Sequence, residues 1–185
     1  ILVFTYTIIG NYGFPKEKKG LFKMSESFES NSVHTSAIVV QEVVNKYSHW
    51  ESEKSMAEWL KENKVTGISG IDTRELTKII REFGSMKGKI VRFNDNDETI
   101  VYEAKGLVGK VSRKDCFIYN CLIEDSDVSN KELIVIDCGI KNSQLNILMD
   151  KCKDFNSNFS LKVVPYNFHF SLENVVGVFI SNGPG

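Results

Sequence analysis

The sequence closes on Ser181-Asn182-Gly183-Pro184-Gly185, after the apolar run Val175-Val176-Gly177-Val178-Phe179-Ile180. Glycine permits backbone geometries closed to other residues and lets a ligand come close to the main chain. Pro184 has no N–H, so Gly183 and Gly185 supply the amides that such a turn can aim at developing negative charge, the task of an oxyanion hole. On physics alone the plainer reading wins, because an Asn-Gly-Pro-Gly turn is also an ordinary tight turn with no ligand.

A second candidate is Asp137-Cys138-Gly139, which follows the apolar run Leu133-Ile134-Val135-Ile136. Cys138 at a strand end has the position of a nucleophile, but no neighbouring residue supplies a base and no GxCxG elbow surrounds it; a packed thiol fits better. Asp72 and Asp137 read as cap and turn residues rather than as acids or bases. Arg74, Lys78 and Arg81 line one edge of a helix and read as a solvated face. Cys116, Cys121, Cys138 and Cys152 show no CxxC spacing, and His34, His49 and His169 are scattered, so no metal site is expected. The cysteines are expected to be reduced, as in a cytoplasmic protein.

The elements that must hold these loops follow from spacing. Ile1–Tyr6 reads as a buried strand, running into the turn Gly10-Asn11-Tyr12-Gly13-Phe14-Pro15. Residues 16–31 are polar and read as an exposed loop. Ala37–Val40 with Val43-Val44 form a second strand region. Ser55 with Glu58 three residues on makes a capping box, and Asp72 with Glu75 repeats it. Leu76, Ile79, Ile80 and Phe83 stand at helical spacing and predict a core face, with Gly84 as terminator. Lys89–Val91 and residues 107–112 are short strand candidates.

From residue 132 onward the pattern is strand, helix, strand, strand. It comprises Leu133–Ile136, a helix with Leu145, Leu148, Met149 and Cys152 on one face, Leu161–Val164, and Val175–Ile180. That order opens a parallel α/β sheet, in which ligands bind beyond the carboxyl ends of the strands. Both candidate loops lie at such ends.

The 185 residues are 42% hydrophobic with a formal net charge of -1. No global field favours nucleic acid or an anionic membrane, and no apolar run is long enough to span a bilayer. Ile1 is not an initiator methionine and no signal pattern stands at the start, so the chain is expected to be cut from something longer at both ends.

Collinear motifs add a resemblance. Thr5-Tyr6-x-Ile8-Ile9-Gly10-Asn11-Tyr12-Gly13 resembles the TYPLIGNYG segment of the glutamine-handling small subunit or domain of carbamoyl-phosphate synthetase. Ser48-His49-Trp50, Gly67-Ile68-x-Gly70-Ile71-Asp72-Thr73-Arg74-Glu75-Leu76-Thr77-Lys78 and Leu107-Val108-x-x-Val111-Ser112 follow in the same order. Asp137-Cys138-Gly139-Ile140-Lys141, Val163-Val164-Pro165 and Phe179-Ile180-Ser181-Asn182-Gly183-Pro184-Gly185 complete the series. GIDTRxLT is specific to that family, whereas NGPG belongs to class I glutamine amidotransferases generally.

The resemblance implies an α/β chain of two bodies. Residues 1–123 would be the small-subunit N-terminal domain, a β/α swivelling fold lacking its first strands. Residues 124–131 would be a linker, and 132–185 the truncated start of a flavodoxin-like class I glutamine amidotransferase domain. It implies that glutamine is hydrolysed through a cysteine thioester, and that ammonia passes to a synthetase subunit or fused domain using ATP, Mg and bicarbonate, for pyrimidine or arginine biosynthesis. Gly183 and Gly185 would touch glutamine, and the Gly183 amide would help hold the oxyanion. The nucleophilic cysteine, with its histidine and glutamate, would lie after Gly185, so these residues alone are expected to be inactive and to need no cofactor. Two further readings remain open: an ammonia-dependent synthetase with a degenerate glutaminase domain, or a non-catalytic docking module. Two positions depart from the family: Thr7 stands in place of proline, and the stretch 142–146 lacks the asparagine and arginine of the family's GxKxNxxR helix start.

Overall fold

A computed structural model describes residues 1–20, 24–84, 86–91, 106–120, 131–154 and 159–184. The chain forms two compact units: unit 1 comprises Ile1–Lys18 and Ser30–Ile100, unit 2 Lys19–Glu29 and Val101–Gly185.

In unit 1 the strands are β1 (Leu2–Val3), β2 (Ile8–Ile9), β3 (Phe14–Pro15), β4 (Ala37–Val39), β5 (Glu42–Val43), β6 (Ser52–Lys54) and β7 (Thr66–Ile68). Its helices are α1 (Met56–Glu62) and α2 (Thr73–Phe83). A parallel sheet has the order β1-β4-β7, while β2 pairs with β5 and β3 with β6. Ile38, Val40, Met56 and Leu60 form the core, and Phe14 stacks on Trp59 with ring centroids 4.3 Å apart. The capping box at α1 is complete: Glu58 N donates to Ser55 Oγ, and Ser55 N donates to Glu58 Oε2 at 2.8 Å. At α2 only half the device forms. Glu75 N donates to Asp72 Oδ1 at 2.9 Å, but the Glu75 carboxylate pairs with Lys78 instead of returning to the cap.

Three expectations for unit 1 are corrected. Only Leu2–Val3 of the first run forms strand, and Leu2 is 49% exposed because β1 is an edge with one partner. The apolar face of α2 is only half covered: Leu76 and Ile80 are half-buried, whereas Ile79 and Phe83 are exposed, Phe83 at 69%. A two-residue strand is too short to cover an eleven-residue helix. Lys89–Val91 takes no regular structure.

Unit 2 contains α3 (Leu107–Val111), β8 (Phe117–Asn120), β9 (Glu132–Asp137), α4 (Asn142–Asp154), β10 (Ser160–Pro165) and β11 (Val175–Ile180). The sheet order is β11-β9-β10-β8. Both neighbours of β9 run parallel to it, and β8 is antiparallel at the edge. Val135, Leu145, Met149, Leu161 and Val163 are fully buried between α4 and the sheet. Each such side chain contributes about 1.5–3 kcal/mol by leaving water.

Sequence and structure differ at three places here. Residues 107–111 are helix rather than strand. The segment Lys19–Glu29, expected to be an exposed loop, lies in unit 2, where Met24 is buried in the core cluster. Helix α3 and strand β8, which the motif reading placed before the linker, also belong to unit 2, while residues 121–130 lie outside the described residues.

Candidate functional site

Parallel pairing brings the carboxyl ends of β9 and β11 to one edge, with Ile136 opposite Ile180. The residues that follow, Asp137–Lys141 and Ser181–Pro184, therefore lie side by side. Ser181 is 6% exposed; its N–H donates to Ile136 O at 3.1 Å, and its Oγ accepts from Cys138 N at 2.9 Å and donates to Asn182 O at 3.0 Å.

Asp137, 4% exposed, organises the other loop. Its Oδ1 accepts from Gly139 N at 2.8 Å and Ile140 N at 2.9 Å; its Oδ2 accepts from Arg113 N and Arg113 Nε, each at 3.0 Å. Burial pushes this carboxyl's pKa up, but the amides of Ile140, Arg113 and Gly139 and the Arg113 side chain together hold it below the usual aspartate value. Asp137 is a structural anion, as its turn position predicts.

The consequence for ligand binding is a census of amides. Cys138 N goes to Ser181 Oγ, Gly139 N and Ile140 N to Asp137, and Lys141 N to Gln144 Oε1 at 3.2 Å. Asn142 N goes to Glu29 O at 3.1 Å and Ser143 N to Glu29 Oε2 at 3.0 Å. Six consecutive N–H groups are thus committed, and this loop has none to offer a ligand. By contrast, Gly183 is exposed, and its N–H meets no acceptor among the described residues. Of the two candidate loops, the one carrying Gly183 retains a donor.

Glycine is required here for closeness rather than for unusual dihedrals. Gly183 lacks the left-handed φ expected of such a turn; instead, a Cβ on it would stand 3.2 Å from Cys138 O. Gly139 does adopt φ +122, and a Cβ there would meet Val111 Cγ2 at 3.0 Å, with Pro184 Cδ at 3.6 Å. Helix α3 and both loops are therefore packed at van der Waals contact. Gly185 lies outside the described residues.

Cys138 is half-buried, with its thiol free. Cys116 is exposed and Cys152 is buried in the core; Cys121 lies outside the described residues. Among the described residues no group of three or more His, Cys, Asp or Glu is placed to hold a metal ion. No described helix is long and apolar enough to cross a membrane. In unit 1 a hollow of about 390 Å³ is lined by Thr7, Gln41, Asp72, Arg74, Glu75 and Lys78. It presents opposed charges.

Sequence reasoning singled out Gly183 and gave no role to Ser181, Arg113 or Glu29. Ser181 carried one available signal, a polar residue ending an apolar strand at a loop. Glu29 and Ser143 are 114 residues apart, so no local pattern joins them.

Comparison with known proteins shows what the chain is similar to. The family described as carbamoyl-phosphate synthase small chain, CPSase domain, matches residues 1–90. The whole chain aligns at 40% identity with multifunctional protein pyr1-3 of Dictyostelium discoideum, of which it spans 9%. It aligns over its whole length at 38% identity with multifunctional protein CAD of Squalus acanthias, spanning 8% of it. Against the arginine-specific carbamoyl phosphate synthase small chain of Neurospora crassa the identity is 36%, again over the whole chain and 40% of that protein. Residues 1–90 are thus similar to the carbamoyl-phosphate synthase small chain, CPSase domain, and the whole chain is similar to a part, less than half, of each of these longer relatives.

Proposed function

We propose that this chain is part of a glutamine-hydrolysing carbamoyl-phosphate synthase and supplies the oxyanion side of its glutaminase site. The carrying observation is the exposed Gly183 amide at the carboxyl ends of the parallel strands β9 and β11, beside a loop whose own amides are all committed. On this reading unit 2 is the opening of a flavodoxin-like class I glutamine amidotransferase domain. A donor held in place beforehand stabilises the tetrahedral intermediate without reorganising as charge develops. Gly183 and Gly185 contact the glutamine carboxamide, and the Gly183 N–H points at the carbonyl oxygen as it becomes negative. The attacking cysteine and its base come from sequence outside these 185 residues. Released ammonia passes to a synthetase subunit or fused domain, which uses ATP, Mg and bicarbonate. The test is ammonia release from glutamine by the full-length protein and by residues 1–185 alone. Turnover by the first and none above blank by the second is expected. A full-length protein that uses free ammonia but not glutamine would instead support a degenerate glutaminase domain.

A second role fits unit 1. Exposed Ile79 and Phe83 on one side of α2 form an apolar strip suited to docking on the synthetase portion. A pull-down with that portion tests this, and no association at micromolar concentration would count against it.

A further inference from the structure

The start of α4 is held by a segment far away in sequence. Asn142, 8% exposed, donates from Nδ2 to Phe28 O at 2.8 Å and from its N–H to Glu29 O at 3.1 Å. Glu29 Oε2 accepts from Ser143 N at 3.0 Å, so the segment Lys19–Glu29 caps the first turn of a thirteen-residue helix. Ser25 Oγ accepts from Phe28 N at 3.0 Å, and Met24 is buried in the core of unit 2, which anchors the segment on its other side. Chain continuity ties both of its ends, at Lys18 and Ser30, to unit 1. It is a strap.

We propose that Asn142 is a positioning residue for the glutamine site: by clamping this strap onto α4 it fixes the loop Cys138–Lys141 against which Gly183 is seated. The chain of contact is short. Asn142 follows Lys141 directly, Gly139 and Ile140 are tied to Asp137, and Cys138 O stands 3.2 Å from where a Gly183 Cβ would be. A loop held at both ends keeps its place; without the strap it keeps Asp137, Ser181 and the bonds of Lys141 to Gln144 and Leu145, but loses the anchor at Asn142 and Ser143. Burial of Leu145, Met149 and Cys152 keeps α4 on the sheet when the strap lets go, so the effect falls on the loop rather than on the fold.

The inference rests on the proposed glutaminase role, and its test separates the two. Asn142→Asp removes the donor to Phe28 O while keeping a residue favoured at a helix start. In the full-length protein we expect kcat/KM for glutamine to fall about tenfold, with KM itself raised, because small displacements of a contacting group are costly. Simple loss of folded protein would lower apparent kcat and leave KM unchanged. Glu29→Ala should act in the same direction, and Glu29→Gln, which keeps an acceptor for Ser143 N, should restore most of the activity. Amide exchange on the full-length protein supplies a readout independent of turnover: Asn142→Asp should accelerate exchange at Cys138–Ile140 as well as at Asn142 and Ser143. Unchanged KM, or loosening confined to residues 142–143, overturns the positioning role. Absence of glutamine hydrolysis by the wild type overturns the function instead, and exchange still decides the role of Asn142.

Discussion

Ser181 Oγ accepts a hydrogen bond from Cys138 N at 2.9 Å and so staples the loop after β11 to the loop after β9. The bond is side chain to main chain across 43 residues, and it fixes the rim on which Gly183 sits. Ser181→Ala would leave the Cys138 amide unpaired in a half-buried site. The expected loss is about 1–3 kcal/mol of stability, read as a lower denaturation midpoint in urea. An unchanged midpoint would mean that water replaces the hydroxyl without cost.

Asp137 predicts an acid sensitivity of definite sign. Its folded pKa lies below the unfolded value, so the stability it contributes is present above the unfolded pKa, about 3.9, and is lost as pH falls through the folded value. Asp137→Asn should lower stability at neutral pH by roughly 3 kcal/mol, because Arg113 keeps its charge and loses its partner. It should also flatten the decline of stability below about pH 4. Unfolding free energies measured from pH 7 down to 3 for both proteins check this; parallel curves would refute it.

Two helix starts in unit 1 differ in a measurable way. Ser55 and Glu58 satisfy each other, whereas Asp72 accepts from Glu75 N with no return bond. Ser55→Ala should cost about 1 kcal/mol or more, and Asp72→Ala less. Both tryptophans, Trp50 and Trp59, are in unit 1, so their fluorescence reports its unfolding. Equal shifts for the two variants would contradict the difference in capping.

Much of unit 2 was legible because its pattern is local. Continuous apolar runs gave β9, β10 and β11, and the spacing of Leu145, Met149 and Cys152 gave the buried face of α4. Helix α3 was not legible: Leu107, Val108 and Val111 include two β-branched residues, and its N-cap is Gly106 in the left-handed region, with no side-chain cap to mark a start. The strap was hidden for another reason. Met24 shares its stretch with Leu21, Phe22 and Phe28, but its burial is decided by a helix more than a hundred residues onward. Gly183 was picked out by motif, but its committed neighbours, which leave it as the available donor, emerge only when β9 and β11 are placed side by side.

Gly139 and Gly183 should respond differently to alanine. Gly139→Ala meets both a φ of +122 and a 3.0 Å approach to Val111 Cγ2, so about 1–3 kcal/mol of destabilisation is expected. Gly183→Ala faces only the 3.2 Å approach to Cys138 O and should be the milder change in thermal unfolding. The reverse order would show that the two loops are not packed as described.

The Gly183 N–H itself can be removed without adding a side chain, by replacing the residue with glycolic acid so that an ester oxygen stands where the amide was. Glutamine hydrolysis by the full-length protein carrying that exchange is the most direct measurement. A donor used in the transition state predicts a fall in kcat of about 10²–10³-fold with KM changed far less. A kcat equal to that of the unmodified protein would contradict the account.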